Sequence, residues 1–177
     1  MLLMRALTLA CLSLLAITPA SGIPLGTSAR GVIPSQVQQI ICVDYRALKN
    51  SGTAMALKQQ VMPPSRKEFE VALKGVGIDP EKDVGQFTFA SYRSGKQGLK
   101  VVGVAQGSFS MKTVLKKMVA NKIKGLRLRN TNIYPMSGGM QMTFLDEGTL
   151  LFGDSGALRG ALDSRDGFSP TLDSNNQ

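Results

Sequence analysis

Between residues 65 and 77 the apolar positions Phe69, Ala72, Leu73 and Val76 recur at the three- and four-residue spacing of one helical face. Ser65 and Glu68 stand where a capping box would satisfy backbone N–H groups at its start, and Gly77 where a left-handed residue would end it. A second stripe, Met111, Val114, Leu115, Met118 and Val119, follows Ser110, a suitable N-cap, and is expected to continue to Gly125. A third helical stretch, Arg46 to Val61, is weakened by Gly52 and stopped by Pro63 and Pro64.

Elsewhere the period is two. Val37 to Asp44, with Ile40, Ile41 and Val43 between polar ends, reads as a short buried strand, and Cys42 within it as a small buried hydrophobe. Phe87 and Phe89 alternate with Gln86, Thr88 and Ala90 in a strand ending near Tyr92. The two phenylalanines read as core. An SGKQG tip then leads into Leu99 to Gln106, which completes an antiparallel hairpin. A meander follows: Asn132 to Tyr134, a PMSGG turn, Met140 to Leu145, a DEG turn, and Leu150 to Phe152. After it comes a short helix with Leu158, Ala161 and Leu162 on one side. This order predicts an α+β fold: an antiparallel sheet with helices on one face, in ferredoxin-like βαββαβ order, with an added C-terminal hairpin and short helix.

The N-terminal residues follow a different pattern. Arg5, an apolar run from Ala6 to Ile17, and small residues at Thr18, Ala20 and Gly22 form the tripartite pattern of a signal peptide over residues 1–22, cut after Ala20 or Gly22. The run falls short of the roughly 20 residues a membrane span needs. Cys11 lies early in the apolar core instead of closing it, which is the wrong place for lipidation. What remains, about 155 residues, suits one domain at 37–163. A flexible lead-in at 23–36 precedes it, and a polar, aperiodic tail at 164–177, expected to be disordered, follows. Export places the mature chain in the periplasm or outside the cell, without a transmembrane segment. Cys42 is then its sole thiol, so no internal disulfide can form.

Composition narrows the chemistry. The chain has no histidine, so neither a Ser-His-Asp nor a Cys-His arrangement can be assembled, although GDSG at 153–156 resembles the nucleophile segment of trypsin-like peptidases. Asp154 or Ser155 suits a helix cap there instead. No Ser-x-x-Lys spacing, nucleotide-binding glycine loop or usual zinc, copper or haem ligand set occurs, so no catalytic residue, metal or cofactor is assigned. The densest acidic stretch, GVGIDPEKDV, fails as a calcium loop: counted from Asp79, position 6 is Val84 and position 12 is Ala90. It reads as a joint in which Asp79 caps a turn, Pro80 opens it, and Glu81 and Asp83 sit near its positive end.

Charge supplies the positive signal. The formal net charge is +9. No acid lies between Val84 and Leu145, a run that holds Arg93, Lys96, Lys100, Lys112, Lys116, Lys117, Lys122, Lys124, Arg127 and Arg129. A basic face is expected, with Lys112, Lys116, Lys117, Lys122, Lys124, Arg127 and Arg129 as its contacts. The expected function is a non-enzymatic exported binding module that meets an anionic polymer, a lipid surface or an acidic protein. Nucleic acid is disfavoured by export and by the lack of stacking aromatic spacing. Two alternatives stand beside it. One is a peptidase-inhibitor or chaperone-like module using a sheet edge or the PMSGG turn. The other is a hydrolase in which Asp79, Glu81 or Asp83 faces Asp44, Asp146 or Asp154.

The segments VVGVAQGSF, NIYPM, MTFLDEGTLLFGD and ALRGALDSRDG, with GIDPEKDV, resemble a group of exported bacterial proteins of unknown function, over Val37 to Asp166. The resemblance implies the element order and export, and brings no activity or site residues. Such proteins continue with a further helix, so it also implies that a chain ending in DSNNQ is a shortened form.

Overall fold

The computed structural model describes residues 25–49, 51–52, 64–94 and 98–175, with backbone alone for 64–68 and 175. The expected signal peptide, the part of the expected helical stretch beyond Gly52, the Ser65 and Glu68 side chains, and the centre of the SGKQG tip lie outside the described residues.

Helix α1 (Thr27–Arg30) leads to strand β1 (Val37–Asp44), α2 (Tyr45–Lys49), α3 (Pro64–Val76) and the single turn α4 (Pro80–Asp83). The hairpin β2 (Val84–Arg93) and β3 (Leu99–Gly107) is followed by α5 (Met111–Ala120). Then come β4 (Leu126–Leu128), β5 (Thr131–Pro135), β6 (Gln141–Asp146), β7 (Thr149–Gly153), α6 (Ser155–Arg165) and a 3-10 turn at Leu172–Asn175. The strands form one sheet in the order β1-β2-β3-β7-β6-β5-β4, every neighbour antiparallel. The α+β class and the antiparallel sheet stand; the order differs from the ferredoxin-like expectation. A split βαβ unit needs two parallel strands with a third between them, whereas β1 pairs directly and antiparallel with β2.

The helices also occupy both faces of the sheet, not one. Alternation along the strands divides the core accordingly. Phe87, Ala105, Leu150 and Phe152 point to α3 and α5 and join Phe69, Leu73, Val114 and Met118. Ala90, Val102, Val104 and Leu151 point the other way, to Ala29, Ile33, Leu158 and Leu162 of the lead-in and α6. With both faces covered, a central strand has no solvent side. All five residues of β7 and Val102 to Ala105 of β3 are buried, which is why VGVA and TLLF read as nearly continuous apolar runs. The first core is built on rings: Phe69 stacks on Phe152, and Tyr45 and Phe69 each meet Phe87 edge to face.

Four further expectations are corrected. Strand β1 is an exposed sheet edge, so Ile40, Ile41 and Cys42 are all exposed where burial was expected. The lead-in is built in: Ala29, Val32 and Ile33 are fully buried. The polar tail is ordered through Asn175, because it pairs with that lead-in. Ser35 donates to the Pro170 carbonyl (2.9 Å), Leu172 to that of Ile33 (2.7 Å), and Arg30 meets Asp173 at 2.7 Å. Finally, α5 stops at Ala120, short of Gly125. Lys122 takes the left-handed conformation (φ 56°) and the Ile123 N–H returns to the Met118 carbonyl, so a lysine does what a glycine usually does.

Candidate functional site

Helix α5 positions the basic residues. Ser110 caps it, accepting from the Thr113 N–H (3.3 Å), and Val114 and Met118 fix its inner face in the core. Lys112, Lys116 and Val119 therefore fall at i, i+4 and i+7 on the outer face, where all three are exposed. Lys117 flanks this strip, its stem lying across Gly77 at the C-terminal end of α3, where a cation is favoured by the helix dipole. Lys122 and Lys124 extend the strip through the exit turn.

The two arginines behave differently. Arg127 donates to the Arg129 carbonyl (3.0 Å). Arg129 takes a left-handed backbone (φ 52°), reaches Asp163 (2.6 Å) and Asp166 (3.1 Å) at the end of α6, and lies over the Phe168 ring. Hydrogen bonds to those two aspartates raise its already high pKa. Arg129 is thus a clamp between the β4–β5 turn and α6, Arg127 lines a cavity with Ser155 and Arg159 of α6, and the expected basic face contracts to the α5 lysines.

Other cations are likewise matched. Lys100 meets Asp154 (3.3 Å), Arg165 meets Asp166 (2.8 Å), and Lys82 meets Asp79 (3.4 Å). Among the described residues, none of Lys112, Lys116, Lys117, Lys122 and Lys124 has an acidic partner.

Asp44, Asp79, Asp83, Asp146 and Asp154 are spent on backbone N–H groups. Asp79 caps α4 by accepting from the Glu81 N–H, and its own N–H donates to Asp83 (2.7 Å), as the joint reading requires. Asp154, rather than Ser155, caps α6 by accepting from the Ala157 N–H (2.8 Å). Partial burial pushes the Asp154 carboxyl up, but that N–H and the Lys100 ammonium outweigh it and hold the pKa below the usual range. Asp44 accepts from the Ala47 N–H, and Asp146 from Ser28 and Gly148. Among the described residues no three acidic or thiol groups converge as a metal site.

At the end of the sheet beside α1, strand register opposes Asp44 to Gln86, Gln86 to Gln106, Gln106 to Thr149, and Thr149 to Asp146. This polar rung floors a cavity of about 350 Å³ whose rim includes Arg46. The rung's outer members Asp44 and Asp146 are candidate carboxylates in the sequence, but Gln86 and Gln106, on different strands, carry no spacing signal. Four strand intervals separate Asp44 from Asp146, roughly 19 Å at the usual strand spacing. That is well beyond the roughly 5–9.5 Å of a glycosidase carboxylate pair.

No protein-family model, curated protein or solved structure matches the chain. The functional reading therefore rests on architecture and side-chain chemistry.

Proposed function

We propose that the protein is a non-enzymatic binding module of the cell envelope, exported by its leader and held to an anionic partner surface by the α5 lysines. The observation that carries this reading is the division of the cations. Among the described residues, Arg30, Lys82, Lys100, Arg129 and Arg165 are matched by carboxylates; of the cations that are not, Lys112, Lys116, Lys122 and Lys124 share one helix and its exit turn, whereas Arg46, Lys49, Lys74, Arg93 and Arg159 are dispersed over other elements. Unneutralised like charges on one element create a local positive potential that an anionic surface relieves. No helix among the described residues is long and apolar enough to cross a membrane, so contact through such a strip would be peripheral.

The inhibitor or chaperone-like reading, through a sheet edge or the PMSGG turn, has the exposed edge β1 and the exposed turn at Ser137–Gly139 to use, but neither carries a charge pattern that names a partner. The hydrolase reading, in which Asp79, Glu81 or Asp83 faces Asp44, Asp146 or Asp154, is weakened by the backbone bonds that already engage Asp79, Asp83 and Asp154.

Co-sedimentation with vesicles containing an acidic phospholipid, at rising salt, tests the proposal. A basic side chain near such a surface contributes about 1 kcal/mol. Replacing Lys112, Lys116, Lys122 and Lys124 by glutamine should therefore weaken binding by roughly three orders of magnitude. The control replaces four other exposed cations, Lys49, Lys74, Arg93 and Arg159, by glutamine. Equal losses in the two variants, or binding indifferent to salt, would refute a dedicated strip.

A further inference from the structure

The rung beneath α1 holds two amides with nothing to bond. Its outer members are satisfied: Asp44 by the Ala47 N–H, and Asp146 by Ser28, Gly148 and Thr149. The inner pair is not. Gln86 is only 7% exposed, yet its amide has no hydrogen-bond partner among the described residues, and the buried Gln106 Oε1 also lacks a donor. Native structures rarely leave such groups without a reason. Turning either amide over exchanges its oxygen and nitrogen without supplying a partner.

Both glutamines line the cavity of about 350 Å³, and two glycines shape its walls. Gly85 sits at a register shift in β2, and the Arg46 side chain lies against it: a Cβ there would come within 2.9 Å of Arg46 Nε. Gly26 packs on Gln106 so closely that a Cβ would overlap its amide. The Arg46 guanidinium itself has no carboxylate partner among the described residues. The cleft thus presents one fixed positive charge, one amide acceptor without a donor, and a second amide able to donate and accept.

We propose that this cleft binds a small monoanion in which a carboxylate stands next to a secondary amide, the chemistry of a peptide C-terminus or an acylated amino acid. Arg46 receives the carboxylate, with which its planar fork can pair in two parallel hydrogen bonds. Gln106 Oε1 accepts from the ligand N–H, and Gln86 faces the ligand carbonyl. An inorganic phosphate is a poor fit, because it is mainly an acceptor, leaves Gln106 Oε1 unbonded, and brings a second negative charge toward Asp44 and Asp146. The site is separate from the α5 lysines, so it stands or falls independently of the envelope-surface reading.

Titration of the full chain by heteronuclear NMR, with the Gln86 and Gln106 side-chain amides as reporters, tests this. N-acetyl-glycyl-glycine should give saturable shifts of both. Its C-terminal carboxamide should bind at least tenfold more weakly, and inorganic phosphate should not compete. Arg46 is exposed, so Arg46→Gln should keep the fold, seen as an unchanged melting curve, while losing at least tenfold in affinity. A longer acetylated peptide with the same last two residues separates the sources: equal or tighter binding assigns protein C-termini, weaker binding a free acylated amino acid. No saturable shift at ten millimolar probe, equal binding to Arg46→Gln, or full competition by phosphate would overturn the assignment.

Discussion

Tyr92 ties the hairpin to α6, and its removal should change the sign of its effect with pH. The ring is 4% exposed, and its hydroxyl donates to the Ala157 carbonyl at 2.9 Å. Burial, reinforced by Asp154 and Asp163, pushes its pKa from 10.0 up to about 12. A folded-state pKa above the unfolded value means that the stabilisation is fully present below pH 10 and is lost as pH rises through 12. At pH 8, Tyr92→Phe loses one buried hydrogen bond and should be less stable by about 1 kcal/mol. At pH 11 the unfolded tyrosine is mostly ionised and the folded one is not, which costs the native protein about 1.4 kcal/mol that the phenylalanine variant avoids. The two curves should cross at about pH 10.7, and by pH 11.5 the variant should be the more stable by roughly 0.9 kcal/mol. Urea denaturation of both proteins at half-unit pH intervals reads this directly, and the other ionising groups cancel in the difference. A stability difference that stays constant from pH 8 to 11.5 would refute the burial of the phenol.

Two shorter predictions follow from packing. A Cβ at position 103 would overlap the Phe152 ring, itself stacked on Phe69, so Gly103→Ala should cost about 1–3 kcal/mol. In a Phe152→Ala background the same change should be nearly neutral. Equal cost in both backgrounds, by denaturant titration, would show that the ring is not the obstacle. Cys42 lies exposed on the edge strand, its sulfur 3.7 Å from Thr88 Oγ1. It should react with an aromatic disulfide reagent in the native protein within about tenfold of the rate in denaturant, since access limits a free thiol. Modification that waits for global unfolding would place β1 in the interior.

The local signals in the sequence held where they were chemical. Gly77 ends α3, Asp79 and Pro80 open the next turn, Ser110 caps α5, and each strand of the hairpin and meander falls close to its expected bounds. What failed was relational. Ile40, Ile41 and Cys42 look like core because apolar runs suggest burial, but a strand's place at the edge depends on what pairs beside it, which periodicity does not encode. Likewise Val102 and Val104 spell burial, but only the register tells that α6 covers them while α5 covers Ala105. The tail misled for a different reason. Its order comes from backbone hydrogen bonds to the lead-in and from Arg30 with Asp173, and a hydropathy pattern is blind to main-chain pairing. The Gln86 and Gln106 pair was hidden in the same way, by residues far apart in sequence that meet only across a ladder.

The distribution of charge shows how scaffold and surface divide the same residue types. With 21 basic and 12 acidic side chains, the chain cannot pair every cation. The acids from Asp154 onward go to cations that join separated segments: Asp154 to Lys100 across β3 and α6, Asp163 and Asp166 to Arg129, and Asp173 to Arg30 across the two ends. Losing one of those carboxylates loosens a junction, so their placement is constrained by folding. The lysines of α5 are under no such constraint, because the helix is already fixed by Ser110, Val114 and Met118. A fold indifferent to their sign would tolerate acids among them, and the whole run from Val84 to Leu145 contains none. Solvation alone asks for charge of either sign, whereas attraction to an anion asks for one sign only. The comparison between the α5 variant and the dispersed-charge control separates those two demands.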